Sequence, residues 1–126
     1  MSGNSGPGYA SRPDHKITLS KPSQKLRVRF AGKVIAETGR AIRLQEASYP
    51  PVHYVPIADV SAEALEKTAH STYCPFKGEA SYWSLVADGK RVENAVWGYE
   101  TPYDEVLPIK DHVAFYPDRV EAIEAF

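Results

Sequence analysis

The sequence has few of the features that place a protein in a disulfide-bonded, membrane or nucleic-acid-binding class. Its 126 residues contain one cysteine, so no disulfide can form within the chain. It has no run of about 18 apolar residues, the length that a membrane-spanning helix needs. Its 15 basic and 16 acidic residues nearly cancel, which excludes a strong field for nucleic acid or anionic lipid. We therefore expect a cytoplasmic protein with no nucleic-acid partner and no membrane partner.

Motifs for metal binding and for nucleophilic catalysis are also missing. The sequence contains neither Cys-x-x-Cys nor His-x-x-x-His, and we therefore predict no metal site and no cofactor. A serine triad has no support either, because the sequence has no Gly-x-Ser-x-Gly elbow. Whether the protein is an enzyme is left open by these patterns.

What the sequence does contain is a series of short β-type runs. Leu26–Phe30 alternates apolar and basic residues, as a half-buried strand does, and Ala31-Gly32 permits a turn after it. Four further strands are predicted at residues 33–37, 41–46, 52–55 and 112–116. The one predicted helix is residues 61–69, capped by Asp59 or Ser61 and docked on a sheet through one apolar face.

The clearest hairpin signal is Asp88-Gly89 between two β-type runs. This dipeptide supplies the positive φ angles that a two-residue type I′ turn requires. Such a loop fixes the register of the two strands. The predicted partners are Ala87 with Lys90, Leu85 with Val92, and Trp83 with Asn94.

Length and pattern together predict a fold class. The chain is expected to be mainly β with one short helix (α+β), built as small antiparallel sheets in a compact sandwich or half-open barrel. Residues 1–15 are rich in Gly, Ser and Pro and are predicted to be a disordered N-terminal segment. Residues 16–122 are predicted to be a single globular domain, and residues 123–126 a C-terminal tail.

The chemistry-bearing residues concentrate in residues 70–85, HSTYCPFKGEASYWSL. Cys74 is a possible nucleophile if a cation lowers its pKa, although free cysteines are usually buried and inert. Lys77 can meet an anionic ligand, and Gly78 allows a close backbone approach. Glu46 ends a half-buried strand, where it can pair with Lys77 or act as a base. The candidate catalytic residues are therefore Glu46, Cys74 and Lys77.

Aromatic residues with polar tips flank this segment. Tyr54, Tyr82 and Trp97 suit a flat or sugar-like ligand, while the alternative is that they are core residues of a small β protein. The predicted ligand-binding set is Glu46, Tyr54, Cys74, Lys77, Gly78, Tyr82 and Trp97.

Five segments in this order resemble a known bacterial family: residues 40–46, HYVPIADV, STYCPFKGEASYWSL, VWGYETP and HVAFYPDRV. The resemblance covers residues 17–120 and is to domain-of-unknown-function family 427, which also carries a nucleotidyltransferase label. It implies a compact β-rich domain and no established reaction. The positions that match the family motif are Glu46, Tyr54, Pro56, Asp59, Cys74, Pro75, Lys77, Gly78, Tyr82 and Trp97.

The nucleotidyltransferase label has no support in the residues. Transfer from a triphosphate needs divalent cations held by carboxylates, usually in an Asp-x-Asp pair after a Gly-Ser pair. The chain has neither this arrangement nor Gly-x-x-x-x-Gly-Lys.

Three functional hypotheses remain. The first is a small-molecule binding domain, with or without catalytic activity, in which Lys77 holds an anionic group, the aromatic rings stack, and Glu46 orients or deprotonates the ligand. The second is a non-catalytic domain that forms a homodimer through edge strands or an aromatic patch. The third, weaker hypothesis is thiol chemistry at Cys74.

Overall fold

Alternation of apolar and polar side chains places most of the chain in two antiparallel sheets. The computed structural model describes residues 4–126. Its strands are β1 (Ile17–Ser20), β2 (Leu26–Phe30), β3 (Lys33–Thr38), β4 (Ile42–Glu46), β5 (Val52–Pro56), β6 (Leu65–Cys74), β7 (Gly78–Ala87), β8 (Lys90–Gly98), β9 (His112–Phe115) and β10 (Ala122–Ala125). One short helix, α1, spans Gly8–Ser11.

The larger sheet has seven strands in the order β1-β4-β5-β9-β8-β7-β6, and the smaller has three in the order β10-β2-β3. All pairings between neighbouring strands are antiparallel. The seven-stranded sheet is open, with β1 and β6 as its two edges. The prediction of a mainly β, antiparallel domain with a short helix is confirmed.

Each face of the seven-stranded sheet has its own core. Because neighbouring residues of a strand point to opposite faces, Trp83 belongs to one core and Tyr82 to the other. The first core includes the inward side chains of β2 and β3, among them Val28 and Ile35, so the three-stranded sheet covers that face. The second core contains Val106 and therefore lies partly under the 3-10 helical segment Asp104–Ile109. The candidate site adjoins this second core.

The Asp88-Gly89 hairpin forms as predicted at its tip. Asp88 and Gly89 have φ angles of 48° and 77°, and Ala87 pairs with Lys90. The predicted pairing of Trp83 with Asn94 is wrong, because a bulge in β8 makes Val96 the partner of Trp83. A bulge inserts residues into one strand only and moves every later partner along.

The predicted helix at residues 61–69 is wrong. Ala62–Ala64 forms a single 3-10 turn, and Leu65 already starts β6. Leu65 pairs with Leu85 of β7 and packs against the first core. A helix this short gains little by itself, so pairing along a ten-residue strand outweighs the local preference.

The ends of the described chain both contact the sheets. Residues 123–125 belong to β10, which pairs with β2, and do not form a separate tail. Residues 4–15 lie against the turn between β6 and β7, through contacts such as that of Gly8 with Pro75. The first three residues of the predicted disordered segment lie outside the described residues. The division of the chain at residue 15 stays a prediction. No helix in the described part is long and apolar enough to cross a bilayer.

Candidate functional site

The turn between β6 and β7 lies in the segment that carries the cysteine. Cys74 ends β6 and is paired with Gly78, which begins β7. Gly78 has a φ of +116°, which other residues rarely adopt, and an added Cβ would lie 3.4 Å from the Thr101 carbonyl oxygen. The backbone N–H of Tyr103 donates to the Lys77 carbonyl oxygen at 3.0 Å. The glycine and this hydrogen bond therefore fix the direction in which Lys77 leaves the turn.

Lys77 and His15 both contact the carboxylate of Glu46, the last residue of β4. Lys77 Nζ donates to Glu46 Oε1, and His15 Nε2 lies 2.8 Å from Glu46 Oε2. The Lys77, His15 and Glu46 side chains are only 12%, 13% and 18% exposed. We call these three residues the Glu46 cluster. The structure thus brings two predicted site residues, Glu46 and Lys77, into direct contact away from bulk water.

The environment of the cluster keeps the Glu46 carboxylate ionised. Burial by itself would raise the pKa of Glu46, but the hydrogen bonds and charges of Lys77 and His15 outweigh burial and hold that pKa below its ordinary value. A carboxylate with a lowered pKa is a weak base at neutral pH. Glu46 is therefore better suited to position Lys77 than to abstract a proton.

Residues 4–15, which we call the N-terminal strap, cover the turn between β6 and β7. The backbone N–H of Gly8 donates to the Pro75 carbonyl at 3.0 Å, and the Tyr9 hydroxyl donates to the Phe76 carbonyl at 3.1 Å. The His15 imidazole stacks on the Phe76 ring, with centroids 3.9 Å apart. These contacts limit access of solvent to Lys77.

Cys74 lies half-buried beside the second core, near several tyrosines. Burial raises the pKa of Tyr54 and of Tyr99 far above the ordinary value, and the negative charge of Glu46 raises both further. Burial, with contributions from the negative charges of Glu105 and Glu46, raises the pKa of Tyr9 to about 12. These phenols are therefore neutral at physiological pH and lie within electrostatic range of the thiol and the carboxylate.

The predicted aromatic residues are placed mainly in the second core. Trp97 Nε1 donates to the Tyr54 hydroxyl at 3.2 Å, and both rings pack into that core. The Tyr82 ring is buried, and its hydroxyl lies 3.0 Å from Thr72 Oγ1, on β6. Packing in the core and contact with a ligand are compatible for such rings, and the binding role of all seven predicted residues stays a prediction.

Two residues of the site were missed from the sequence because both lie in the segment predicted to be disordered. His15 completes the Glu46 cluster, and Tyr9 covers Phe76. The strap has too little apolar surface for a pattern of strand or helix to appear. A signal that was available is Tyr9 itself, the one aromatic residue among the first fifteen.

The cluster offers hydrogen-bond donors rather than metal ligands. A lysine ammonium has three N–H donors, and the contact with Glu46 uses one of them. In the part of the chain that the structure describes, no group of three His, Cys, Asp or Glu side chains is arranged to hold a metal ion. The arrangement can therefore bind an oxygen-bearing ligand through Lys77 while Glu46 holds the ammonium in place.

Comparison with known protein families gives a match over most of the chain. The family model described as Domain of unknown function (DUF427) matches residues 18–125. The matched range includes Glu46, Cys74 and Lys77 and excludes His15 and the rest of the strap. No curated protein matches the chain.

Proposed function

The chain belongs to the DUF427 family, and we propose that it binds a small polar or anionic molecule at the turn between β6 and β7. The observation that carries this proposal is a lysine, Lys77, that is only 12% exposed and contacts a single carboxylate. Ion pairs at this burial are costly to desolvate and are weak evidence for a purely stabilising role. An ammonium held in this way has two N–H groups left for ligand oxygens.

The other members of the cluster support this role through charge. Glu46 fixes the position of Lys77, because its Oε1 accepts a charge-assisted hydrogen bond from the Lys77 side chain. His15 occupies the second oxygen of Glu46, so both carboxylate oxygens face hydrogen-bond donors of the cluster. The ligand's negative group would therefore meet Lys77 and the imidazole before it meets the carboxylate.

Access of the ligand depends on the N-terminal strap. Tyr9 and His15 contact the ring of Phe76, the residue that precedes Lys77 in the turn. Each of these contacts is a weak individual interaction, worth about 0.5–1.5 kcal/mol. Local opening of the strap is therefore far cheaper than global unfolding, and binding and release can proceed through it.

The first experiment looks for a ligand that copurifies with the protein. Native mass spectrometry of protein purified under mild conditions should show an adduct that denaturation removes. In parallel, thermal shift with inorganic phosphate, succinate and adenosine monophosphate tests which anionic group is bound. Lys77→Ala and Glu46→Gln should remove both the adduct and the thermal shift.

A matched control separates a specific effect from loss of one positive charge. Lys110 also contacts an acidic residue, Asp111, but is 53% exposed. Lys110→Ala should leave the adduct and the thermal shift unchanged. A folded Lys77→Ala variant that retains wild-type affinity for the identified anion would overturn the proposal.

Self-association is a second candidate function, favoured by the exposed edge of β6. Residues 69–73 of this terminal strand are exposed without interruption and contain no Asp, Glu, Lys or Arg. Tyr73 is 59% exposed. An edge-strand segment without charged side chains presents unpaired backbone groups with which a second copy of the chain can pair. A homodimer would then extend the seven-stranded sheet across its β6 edge.

Sedimentation velocity over a range of concentrations tests this second candidate. A dimer through β6 should dissociate in Tyr73→Lys, because a charge on an edge strand opposes strand addition. Tyr49→Lys is the matched control, since Tyr49 is similarly exposed, at 64%, and lies outside β6. A wild-type protein that stays monomeric at the highest concentration would exclude self-association through β6.

A further inference from the structure

A second polar groove lies on the seven-stranded sheet, outside the Glu46 cluster. It has a volume of about 360 Å³ and opens to solvent. We call it the bulge groove, and its lining residues are His70, Tyr82, Glu93, Asn94, Tyr116 and Arg119. This volume is at the lower end of the range for small-molecule sites, about 300–1,000 Å³.

The bulge in β8 creates this groove and fixes Asn94 in it. Asn94 has a φ of +51°, although it lies within a strand and is not glycine. Three hydrogen bonds hold it there: its N–H donates to Ser84 Oγ at 3.2 Å, its Oδ1 accepts from Thr68 Oγ1 at 2.7 Å, and its carbonyl accepts from Arg119 at 3.4 Å. Strained backbone that is held this firmly tends to occur at binding sites.

These bonds leave the donor end of the amide available. Within residues 4–126, Asn94 Nδ2 has no hydrogen-bond partner, although Oδ1 of the same amide does. With Oδ1 on the Thr68 hydroxyl, the two N–H groups of the amide are available to the groove that the residue lines.

Arg119 adds a guanidinium without a carboxylate partner. Its Nη1 donates to the Glu93 and Asn94 carbonyls at 2.9 and 3.4 Å, whereas its Nε and Nη2 make no hydrogen bond within the described residues. Within residues 4–126, five of the seven arginines pair with a carboxylate, and Arg119 is one of two that do not. A guanidinium anchored to the backbone at one edge presents its other donors in a fixed direction, which suits an oxyanion.

Aromatic rings form the floor of the groove. Tyr116 packs between Trp97, with centroids 4.4 Å apart, and the Arg119 guanidinium, 5.1 Å from its ring. The His70 and Tyr82 rings meet edge to face at 4.5 Å. These contacts between rings order the groove before any ligand enters, and preorganisation lowers the free-energy cost of binding.

We propose that the bulge groove is a binding site for a small organic oxyanion, a carboxylate or a phosphate. Asn94 Nδ2 and the unused Nε and Nη2 of Arg119 supply donors to its oxygens, and the Tyr116 ring supports its body. Glu93 is the one carboxylate that lines the groove, and it is an exposed side chain at the rim. This inference does not depend on the proposed function of the Glu46 cluster.

An NMR titration of the full chain tests the proposal with two probes, inorganic phosphate and succinate, each against sodium chloride of equal ionic strength. Both the Asn94 side-chain NH₂ and the Arg119 Nε–H signals should shift and saturate with at least one probe. The probe that saturates first distinguishes a phosphate site from a carboxylate site. Absence of saturable shifts at these groups with both probes would overturn the proposal.

The decisive variant is Asn94→Asp. Aspartate keeps the oxygen that Thr68 binds and tolerates a positive φ, but replaces the N–H donors with a second, negatively charged oxygen. Affinity for the probe should fall by about tenfold or more, which corresponds to about 1.4 kcal/mol. A folded Asn94→Asp variant with wild-type affinity would contradict the proposal.

Two controls assign any binding to this groove. Arg43 is the other arginine without a carboxylate partner, and Arg43→Ala should leave the affinity unchanged, whereas Arg119→Ala should reduce it. Lys77→Ala should also leave the Asn94 and Arg119 shifts unchanged, because Lys77 belongs to the Glu46 cluster. If Arg43→Ala and Arg119→Ala lost the same affinity for the probe, the loss would reflect the overall charge of the protein. That result would refute a site in the bulge groove.

Discussion

Glu46 gains its character from residues that are far away in the sequence. As the last residue of β4 it would ordinarily be a solvated carboxylate, but Lys77 and His15, each 31 positions away, satisfy its two oxygens. Both partners are donors, so the balance of charge and burial favours the ionised form. The cluster is thus a local charge arrangement that only folding assembles.

This arrangement makes stability depend on pH in a defined direction. Because the pKa of Glu46 is lowered in the folded state, the unfolded chain binds a proton more readily as the pH falls. The stabilisation is complete at a pH above the ordinary pKa of a glutamate carboxyl group. It is lost as the pH falls through the lower pKa that Glu46 has in the folded state. Glu46→Gln should cost about 1–3 kcal/mol at neutral pH, and the cost should shrink in acid. Urea denaturation at neutral and acidic pH measures both.

An exposed ion pair provides the control for that measurement. Glu66 contacts Arg91 but is 55% exposed. Glu66→Gln should change the free energy of unfolding by less than about 1 kcal/mol at either pH. If the free energy of unfolding depended on pH in the same way in both variants, the Glu46 cluster would have no special role in stability.

Cys74 illustrates the competing roles of a single thiol. It is half-buried and packs against the second core. We expect a thiol reagent to label it at least about tenfold more slowly in the native protein than in urea, because access requires local opening. In a chain that begins at residue 16, the reagent should label Cys74 faster, since the strap that covers the neighbouring Pro75 is missing. Equally fast labelling in the native and denatured states would instead favour thiol chemistry.

At the scale of elements, strand pairing decides what the local sequence leaves ambiguous. Residues 61–69 contain good helix formers, yet Leu65–Cys74 is a strand because β7 offers it a ladder of hydrogen bonds. The bulge in β8 is a second example, since nothing in the local sequence marks where Val96 replaces Asn94 as the partner of Trp83. Both features depend on what the neighbouring strand presents.

Gly98 gives a test of how closely β8 and β9 are packed. A Cβ at this position would lie 2.5 Å from the His112 carbonyl oxygen and 3.2 Å from Val113 Cγ1. Because a backbone oxygen in the centre of a sheet cannot move aside easily, Gly98→Ala should destabilise the protein by about 1–3 kcal/mol. Gly39→Ala is the control, since its Cβ would meet only Lys25 Cγ at 3.9 Å. Equal stability of the two variants in urea would contradict this packing.

For the whole molecule, the main question is how the N-terminal strap relates to the sheets. The strap contacts three separate regions: the turn at Pro75 and Phe76, Glu46 at the end of β4, and the side chain of Glu105, which accepts from Ser5 and Gly6. It therefore joins the edge of the seven-stranded sheet to the segment Asp104–Ile109 that covers the second core. These contacts are few and mostly polar, so the strap is the part of the molecule that opens most easily.

Removal of residues 1–15 tests whether the strap stabilises the domain. The truncated chain should fold, because both cores lie outside the strap, but should lose about 2–3 kcal/mol with the part-buried hydrogen bonds. The full-length double variant Tyr9→Ala/His15→Ala should lose most of the same stability. Urea denaturation compares the three chains. An unchanged midpoint after truncation would support the disordered segment that composition predicts.

The sequence by itself determined the elements whose cause is local. Alternation at Leu26–Phe30 sets a half-buried strand, and Asp88-Gly89 sets a tight hairpin, because period and turn chemistry act within a few residues. The same holds for the antiparallel class and for the resemblance to the DUF427 family. Glu46 and Lys77 are candidates from the sequence as well, Lys77 through its place before Gly78 and Glu46 through its match to the family motif.

Only the tertiary structure decided which of these residues meet. The contact of His15 with Glu46 spans a segment of low apolar content, where no periodic pattern exists to predict it. The bulge groove joins Asn94 to Arg119, which lies beyond β9, and depends on a register shift between strands. Pairing across a sheet depends on the partner strand and on burial, which a single sequence specifies only through the complete fold.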